Sequence, residues 1–386
     1  MMQYRAYGKL GYEVSALGLG CMRLPRLYDG SAQARVDREK AYELIRCAAD
    51  HGVNYFDTAF SYHNGDSESV LGEALAADGR RARVKIATKQ PLRAMHTQSD
   101  IRRNLEATLR KLRTDYLDVY LIHFISAGNW GEIKERKIIA EFERFRAEGL
   151  IRAIGFSYHG SLPAFRDILA YYPWDMCQVQ QNLLDVDKEV TAEAIRLAGD
   201  KGCALVIMEP LRGGGLAVAP PPVLEIYEKA AAGRGAVEWA FRHVLDYPAV
   251  STVLSGMTTP EQLRENIAVF SRPDIGPNCL SAAEKDALRR VKEVYESLTA
   301  VPCTNCEYCL PCPQNVNIPD VFDMYNEGVM FGAFDQPKRK YMFTVAAGQD
   351  ASRCAACGEC APKCPQSIPI SQTLATAHEA LRGWIE

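Results

Sequence analysis

From about Ala16 to Phe270, short apolar runs rich in β-branched residues alternate with longer stretches whose apolar positions recur every three or four residues. The short runs are strand candidates: Ala16–Leu19, Tyr55–Asp57, Val84–Thr88, Leu117–Ile122, Ala153–Ser157, Met176–Gln180, Ala204–Met208 and Thr252–Leu254. Between them, Asp37–His51, Asp100–Leu112, Gly131–Glu148 and Pro260–Phe270 read as amphipathic helices, several opened by Ser, Thr or Asp in capping positions. Repeated βα units of this number predict an α/β fold closed as a (β/α)8 TIM barrel, because a doubly wound sheet normally uses fewer strands. No G-x-G-x-x-G follows the first strand, and Gly18, Gly20 and Gly213–Gly215 lack that spacing, which disfavours a Rossmann domain. The polar helix Ser281–Leu298 leads to Pro302, after which cysteine density jumps. The expected organisation is a barrel over 1–280, a linking helix over 281–300 and a small separate domain over 301–386.

Composition narrows the classes. With 386 residues, 47% hydrophobic and 24% charged, the chain has ample material for one barrel and one small appendage. A formal net charge of -3 and the lack of a long basic block argue against a nucleic-acid partner. The N-terminal MMQYRAYGKLGYEVS has no continuous apolar run, and no later stretch reaches about 18 uncharged apolar residues, so the expectation is a cytoplasmic protein without a membrane partner.

Chemistry in a TIM barrel sits at the C-terminal ends of its strands. Asp57 ends the second strand in FDTAFSYHNGDSE, with Tyr62 five residues on; Lys89 ends the third in VKIATK, and His123 the fourth in VYLIHF. Hydride arriving from a nicotinamide at a carbonyl carbon leaves negative charge on oxygen, which demands a proton donor aimed there. Tyr62 can supply that proton. A nearby Lys89 would lower the phenol pKa, Asp57 would hold the lysine charged and placed, and His123 would orient the carbonyl oxygen. Singly, each residue has a plainer account, as a buried ion pair, a core histidine or a loop aromatic; jointly, at successive strand ends, they favour catalysis.

Thirteen cysteines are present, eight of them beyond residue 300. Cys303, Cys306, Cys309 and Cys312 form C-x2-C-x2-C-x2-C-P, and Cys354, Cys357, Cys360 and Cys364 form C-x2-C-x2-C-x3-C-P. The second is the bacterial ferredoxin spacing, and the first is one residue shorter. Two 4Fe-4S clusters are expected, with the cysteine before proline crossing to the other cluster: Cys303, Cys306, Cys309 and Cys364 for one, Cys354, Cys357, Cys360 and Cys312 for the second. Zinc is the alternative, although tetrahedral zinc takes four ligands rather than two runs of four. The intervening chain reads as helical around Asp320–Tyr325, so a mainly α-helical, ferredoxin-like domain is expected. Cys21, Cys47, Cys177, Cys203 and Cys279 are scattered and read as buried small hydrophobes.

Over about residues 4–270 the chain resembles the aldo-keto reductases, in a form fused to a C-terminal dicluster domain. D-T-A-x-x-Y, the strand-ending Lys89 and the strand-ending His123 look like that family's catalytic tetrad. The resemblance implies a NADP- or NAD-dependent oxidoreductase that binds cofactor first and interconverts a carbonyl and an alcohol by hydride transfer. It also implies cofactor contacts from Met22 and Asp57, from Ser157 and Gln178 at the carboxamide, and from Pro210, Leu211 and Arg212 over the pyrophosphate. Ser255, Gly256, Met257, Gln262 and Asn266 would lie around the adenosine phosphate. Tyr158 stands where many members have Asn. Members strict for NADPH place Lys or Arg where Gly256, Met257 and Gln262 stand here, so NADH use is credible, with Arg264 and Arg212 as substitutes that keep NADPH open.

Arg23 is a candidate to face the substrate and attract an anion, and the segment Phe124–Lys134, with Trp130, is a candidate to cover the mouth, as is the C-terminal module. Three functional readings follow. The first is a carbonyl reductase or alcohol dehydrogenase whose clusters stabilise the fold or serve a partner. The second is an electron-transfer enzyme linking nicotinamide to a ferredoxin- or flavin-type partner, and the third a catalytically silent ligand sensor.

Overall fold

In a strand, alternate residues share one face, so a closed sheet sends every second side chain to its centre. The computed structural model describes residues 1–27, 35–92, 94–95, 97–186 and 192–383. A hairpin of β1 (Tyr4–Ala6) and β2 (Glu13–Ser15) precedes eight barrel strands. These are β3 (Leu17–Gly20), β4 (Tyr55–Asp57), β5 (Lys85–Gln90), β6 (Leu117–Ile125), β7 (Ile151–Tyr158), β8 (Met176–Gln180), β9 (Ala204–Met208) and β10 (Val250–Ser255). Each pairs in parallel with the next, and β10 closes onto β3.

The interior is a packed core. Tyr55, Ala87, Val119, Leu121, Ala153, Met176, Ala204, Val206 and Leu254 fill it, joined by Tyr7 and Val14 from the hairpin segment. Tyr7 and Tyr55 share a 2.9 Å hydroxyl hydrogen bond, which satisfies two buried polar groups at once. Two residues beyond members of this apolar layer, on the same inward face, stand Asp57, Lys89, His123 and Gln178. The alternation that fills the lower barrel therefore aims polar side chains into its upper end.

Differences from the expected elements have local causes. The predicted helix Gly131–Glu148 is two helices, Trp130–Glu135 and Ile138–Ala147, parted at Lys137 with φ 51°. The buried Ile133 and Ile138 are five residues apart, which would rotate the apolar stripe by about 140° on a straight helix. Strand β6 runs on to Ile125 with a register slip against β7 between Ile122 and Ile125.

The chain divides into two units, Met1–Leu211 with Glu238–Ser281, and Arg212–Val237 with Ala282–Glu386. In the second, the helix Pro221–Ala230 packs on Ala282–Ser297, and Ile318–Phe331, Asp335–Ala346 and Ile370–Leu381 surround the cysteine runs. The two runs continue alike: Val316 and Ile318 follow Cys312 at the offsets at which Ile368 and Ile370 follow Cys364, and all four are buried. Asn326 holds the entry to the first run, donating to the Val301 carbonyl and accepting from its N–H, both at 2.8 Å. Among the described residues no helix is long and apolar enough to cross a membrane.

Candidate active site and cysteine module

Asp57 closes β4 and Lys89 lies near the end of β5, side by side on the inward face, and both are buried. Lys89 Nζ donates to the two carboxylate oxygens of Asp57 at 2.6 and 2.8 Å and to the Thr58 carbonyl at 2.7 Å. The same Nζ stands 5.0 Å from the centre of the Tyr62 ring. Tyr62 opens a 3-10 turn, and its ring meets that of His123 edge-on at 6.0 Å between centroids. The four predicted catalytic residues are thus brought together.

The bulge in β6 sets the fourth residue. A bulge re-aims side chains at the end of a strand. Phe124, directly after His123, sits at φ 63°, and its N–H donates to Ser157 Oγ at 2.8 Å. Phe124 is 54% exposed and stacks on His159 with centroids 4.3 Å apart. Sequence reasoning passed over His159 and named Phe124 only as the start of a segment that could cover the mouth, since a positive φ at a phenylalanine leaves no sign in the pattern.

Burial dominates the electrostatics. It raises the Tyr62 pKa above the ordinary tyrosine value; Lys89 opposes this rise and Asp57 adds to it. The expected lowering by Lys89 is therefore present but outweighed, and the phenol keeps its proton at neutral pH. Burial also works against the Lys89 ammonium, yet Asp57 and Tyr62 more than compensate and hold its pKa up. Burial, with Lys89 and His159 adding, pulls His123 down to about 3, so this imidazole is neutral.

The segments expected at the cofactor fall into three groups. At the inner end, Gln178 Oε1 is buried without a hydrogen-bond partner, and Ser157 Oγ serves as acceptor for Phe124. Tyr158 turns elsewhere, donating to the Ser161 carbonyl at 2.6 Å and packing on Phe165. At the rim, Met22 is exposed, Pro210 is buried, and Arg23 pairs with Glu209 at 3.5 Å, its stem lying where a side chain on Gly256 would sit. Leu211 is half-buried beside Pro210. At the β10 end, Asn266 donates to Ser255 Oγ at 2.9 Å, Met257 is buried, Gln262 accepts from the Thr258 N–H at 2.8 Å, and Arg264 pairs with Glu261 at 2.5 Å. Arg212 belongs to the second unit, where its guanidinium lies 4.0 Å from Asp323 and 5.8 Å from the Phe331 ring centre. Trp130 packs edge-on against Tyr171.

In the second unit, Cys303, Cys306, Cys309 and Cys364 line one cavity, floored by Ile318 and Phe322. Cys360 has Cys354, Cys357 and Cys312 as its electrostatic neighbours, with Cys309 of the other group also close. Among the described residues no group of three or more His, Cys, Asp or Glu closes on a single ion, as zinc would require. Thiolates ringing a cavity suit a cubane, which spreads its ligands wider than one ion does. Outside this module Cys21, Cys177 and Cys203 are buried, while Cys47 and Cys279 are half-buried.

These features have counterparts among known proteins. The Aldo/keto reductase family model matches residues 16–275, and the 4Fe-4S dicluster domain model matches 302–368. The NADH-specific methylglyoxal reductase of Escherichia coli (strain K12) is 25% identical over 338 residues, covering 75% of this chain and 98% of that one. Aldo-keto reductase AKR11C1 from Bacillus halodurans, in its holo form, superposes with a TM-score of 0.62 at 25% identity, covering 75% of this chain and 96% of that one. A Klebsiella pneumoniae aldo/keto reductase in complex with NADP and acetate gives 0.58 at 25% identity, covering 75% and 95%. The chain belongs to the aldo-keto reductase family of oxidoreductases and carries a C-terminal 4Fe-4S dicluster domain.

Proposed function

We propose that the barrel interconverts a small-molecule carbonyl and its alcohol with NADP or NAD, using Tyr62 as proton donor, and that the eight module cysteines hold two 4Fe-4S clusters. The observation that carries the reading is the buried Lys89 ammonium, held by Asp57 on one side and facing the Tyr62 ring on the other, with a neutral His123 against the same phenol. A solved relative binds NADP and another is named NADH-specific, and both cofactors suit this chain. The partnerless Gln178 Oε1 fits the amide NH2 of a nicotinamide, and the hydroxyl hydrogen of Ser157 is left to donate to the amide oxygen. Met22, Pro210 and Leu211 would line the rest of the dinucleotide, and Ser255, Gly256, Met257, Gln262 and Asn266 its adenosine end. Arg264, held by Glu261, is the cation nearest in sequence for a 2′-phosphate.

Bound reduced nicotinamide supplies a hydride to the carbonyl carbon. His123 donates a hydrogen bond to the carbonyl oxygen and orients it. As the C=O electron pair moves onto oxygen, Tyr62 passes its phenolic proton there, and Lys89 stabilises the phenolate until water reprotonates it. Asp57 keeps the ammonium in place. In the test, Tyr62→Phe is compared with the parent using methylglyoxal and 4-nitrobenzaldehyde as carbonyl probes. The expected outcome is a fall in kcat of about 10²–10⁴-fold with NADPH binding retained. Turnover close to the parent's would sink the reading, whereas a Tyr62-dependent rate excludes a silent ligand sensor.

A second reading adds electron transfer to a ferredoxin- or flavin-type partner. Cys306 and Cys357, one from each ligand set, are exposed, so each cluster would have a ligand at the surface of its unit.

A further inference from the structure

The turn that carries Tyr62 is tied at two points to the turn that carries Met22. Ser67, buried at the start of the helix Ser67–Leu75, donates from Oγ to the Cys21 carbonyl at 3.1 Å and shares a 2.9 Å hydrogen bond with Thr58 Oγ1. On the other flank, the Leu24 N–H donates to His63 Nε2 at 3.2 Å. Cys21–Arg23 is a single 3-10 turn, so both of its ends are held by residues that closely follow Tyr62.

The imidazole has to be neutral to do this. An Nε2 that accepts leaves the proton on Nδ1. Burial, with Arg26 adding and the Cys21 and Met22 backbone opposing, lowers the His63 pKa to about 4, so the ring is neutral, and its Nδ1 is buried without a hydrogen-bond partner. The backbone bends to deliver it, since His63 and Asn64 lie in the left-handed region at φ 52° and 55°. Such strain persists only where the surroundings over-determine it, and it concentrates at functional sites.

We propose that His63 is a positioning residue for the reduction: by latching Leu24 to the Tyr62 turn, it fixes the Met22 side of the nicotinamide site relative to the phenol that delivers the proton. The inference rests on the reductase reading given above. Hydride donor and proton donor must meet the two ends of one C=O bond, so the spacing between their turns governs the fraction of bound complexes poised to react. Ser67 pins only the Cys21 end, so the backbone hydrogen bond at the Leu24 end depends on the imidazole. Without the imidazole, the Leu24 amide loses its acceptor.

The test is His63→Gly in the full-length, cluster-loaded protein. Glycine adopts φ 52° without strain, so the ring is removed while the turn's backbone is kept, with a modest fall in Tm from the unpaired Leu24 amide. With NADPH and 4-nitrobenzaldehyde, kcat is expected to fall about tenfold or more, and added imidazole to restore much of it relative to the parent under the same imidazole. Hydrogen exchange over the peptide spanning Cys21–Leu24, read by mass spectrometry, speeds up in the variant and slows again with imidazole. A kcat within about twofold of the parent's, unchanged exchange, or a loss that imidazole leaves in place would each overturn the proposal. Should His63→Gly fail to fold, His63→Asn, which also suits the left-handed region but reaches less far, is read by the same kinetics and exchange. A parent that turns over no carbonyl counts against the reductase reading alone, and the exchange measurement then decides the latch.

Discussion

Tyr62 and His123 do opposite things with the same cause. Removing water raises the pKa of a group that ionises to an anion and lowers that of one that ionises to a cation. Tyr62 therefore holds its proton beyond the ordinary tyrosine range, and His123, pulled to about 3, stays neutral. Carbonyl reduction needs a neutral phenol and a neutral imidazole together, and both forms coexist from about pH 5 to above pH 9. The kcat/KM for 4-nitrobenzaldehyde reduction should accordingly be flat across that window and fall only at higher pH, as Tyr62 ionises. Alcohol oxidation needs the phenolate and should speed up as pH rises through the same range. An acid limb near pH 6.5 in the reduction profile would show a titrating histidine and contradict the neutral His123. The four proposed catalytic residues were legible in the sequence because strand ends can be counted and their chemistry is joint. His63 and the turn at Phe124 were not, because both depend on positive φ values that leave no sign in the pattern.

Strands β7 and β8 show how the barrel holds its chemistry in register. Ser157 pairs with Gln178 and Gly155 with Met176, so the two side chains proposed at the carboxamide sit one alternation above a glycine that the neighbouring strand crowds. A Cβ on Gly155 would come 2.7 Å from Met176 Sδ and 2.9 Å from the Met176 carbonyl oxygen. The thioether can move aside, but the carbonyl belongs to a paired strand and cannot. Gly155→Ala should cost about 1–3 kcal/mol and lower the Tm by roughly 3–10 °C, measured by thermal unfolding. It should also weaken nucleotide binding, because parting the strands separates Ser157 from Gln178. An unchanged Tm would mean that β8 can yield there. The strands themselves were readable from the alternation of Tyr55 and Asp57 or Met176 and Gln178. The hairpin β1–β2, with three residues per strand, is too short to show a period. The break at Lys137 was hidden because each half of the segment is helical on its own.

On the scale of the whole molecule, the two cofactor classes handle electrons differently. A nicotinamide gives up a hydride, two electrons at once, whereas a 4Fe-4S cubane takes one, so a direct exchange would pass through an unstable nicotinamide radical. No sequence motif for a flavin, which could split the pair, accompanies the barrel. The reductase reading therefore expects hydride chemistry to proceed without the clusters changing oxidation state. The deciding measurement is anaerobic stopped-flow mixing of cluster-loaded protein with NADH and then NADPH, following cluster absorbance in the visible while nucleotide binding is read by fluorescence. The expected result is binding without bleaching, together with Tyr62-dependent turnover that survives Cys357→Ser even as that substitution depletes iron. Bleaching by either nucleotide would place the clusters on the electron path, and loss of turnover in a folded Cys357→Ser protein would make them obligatory. A splitting centre would then have to come from a flavin-type partner, and the exposed Cys306 and Cys357 would mark where to look for its docking.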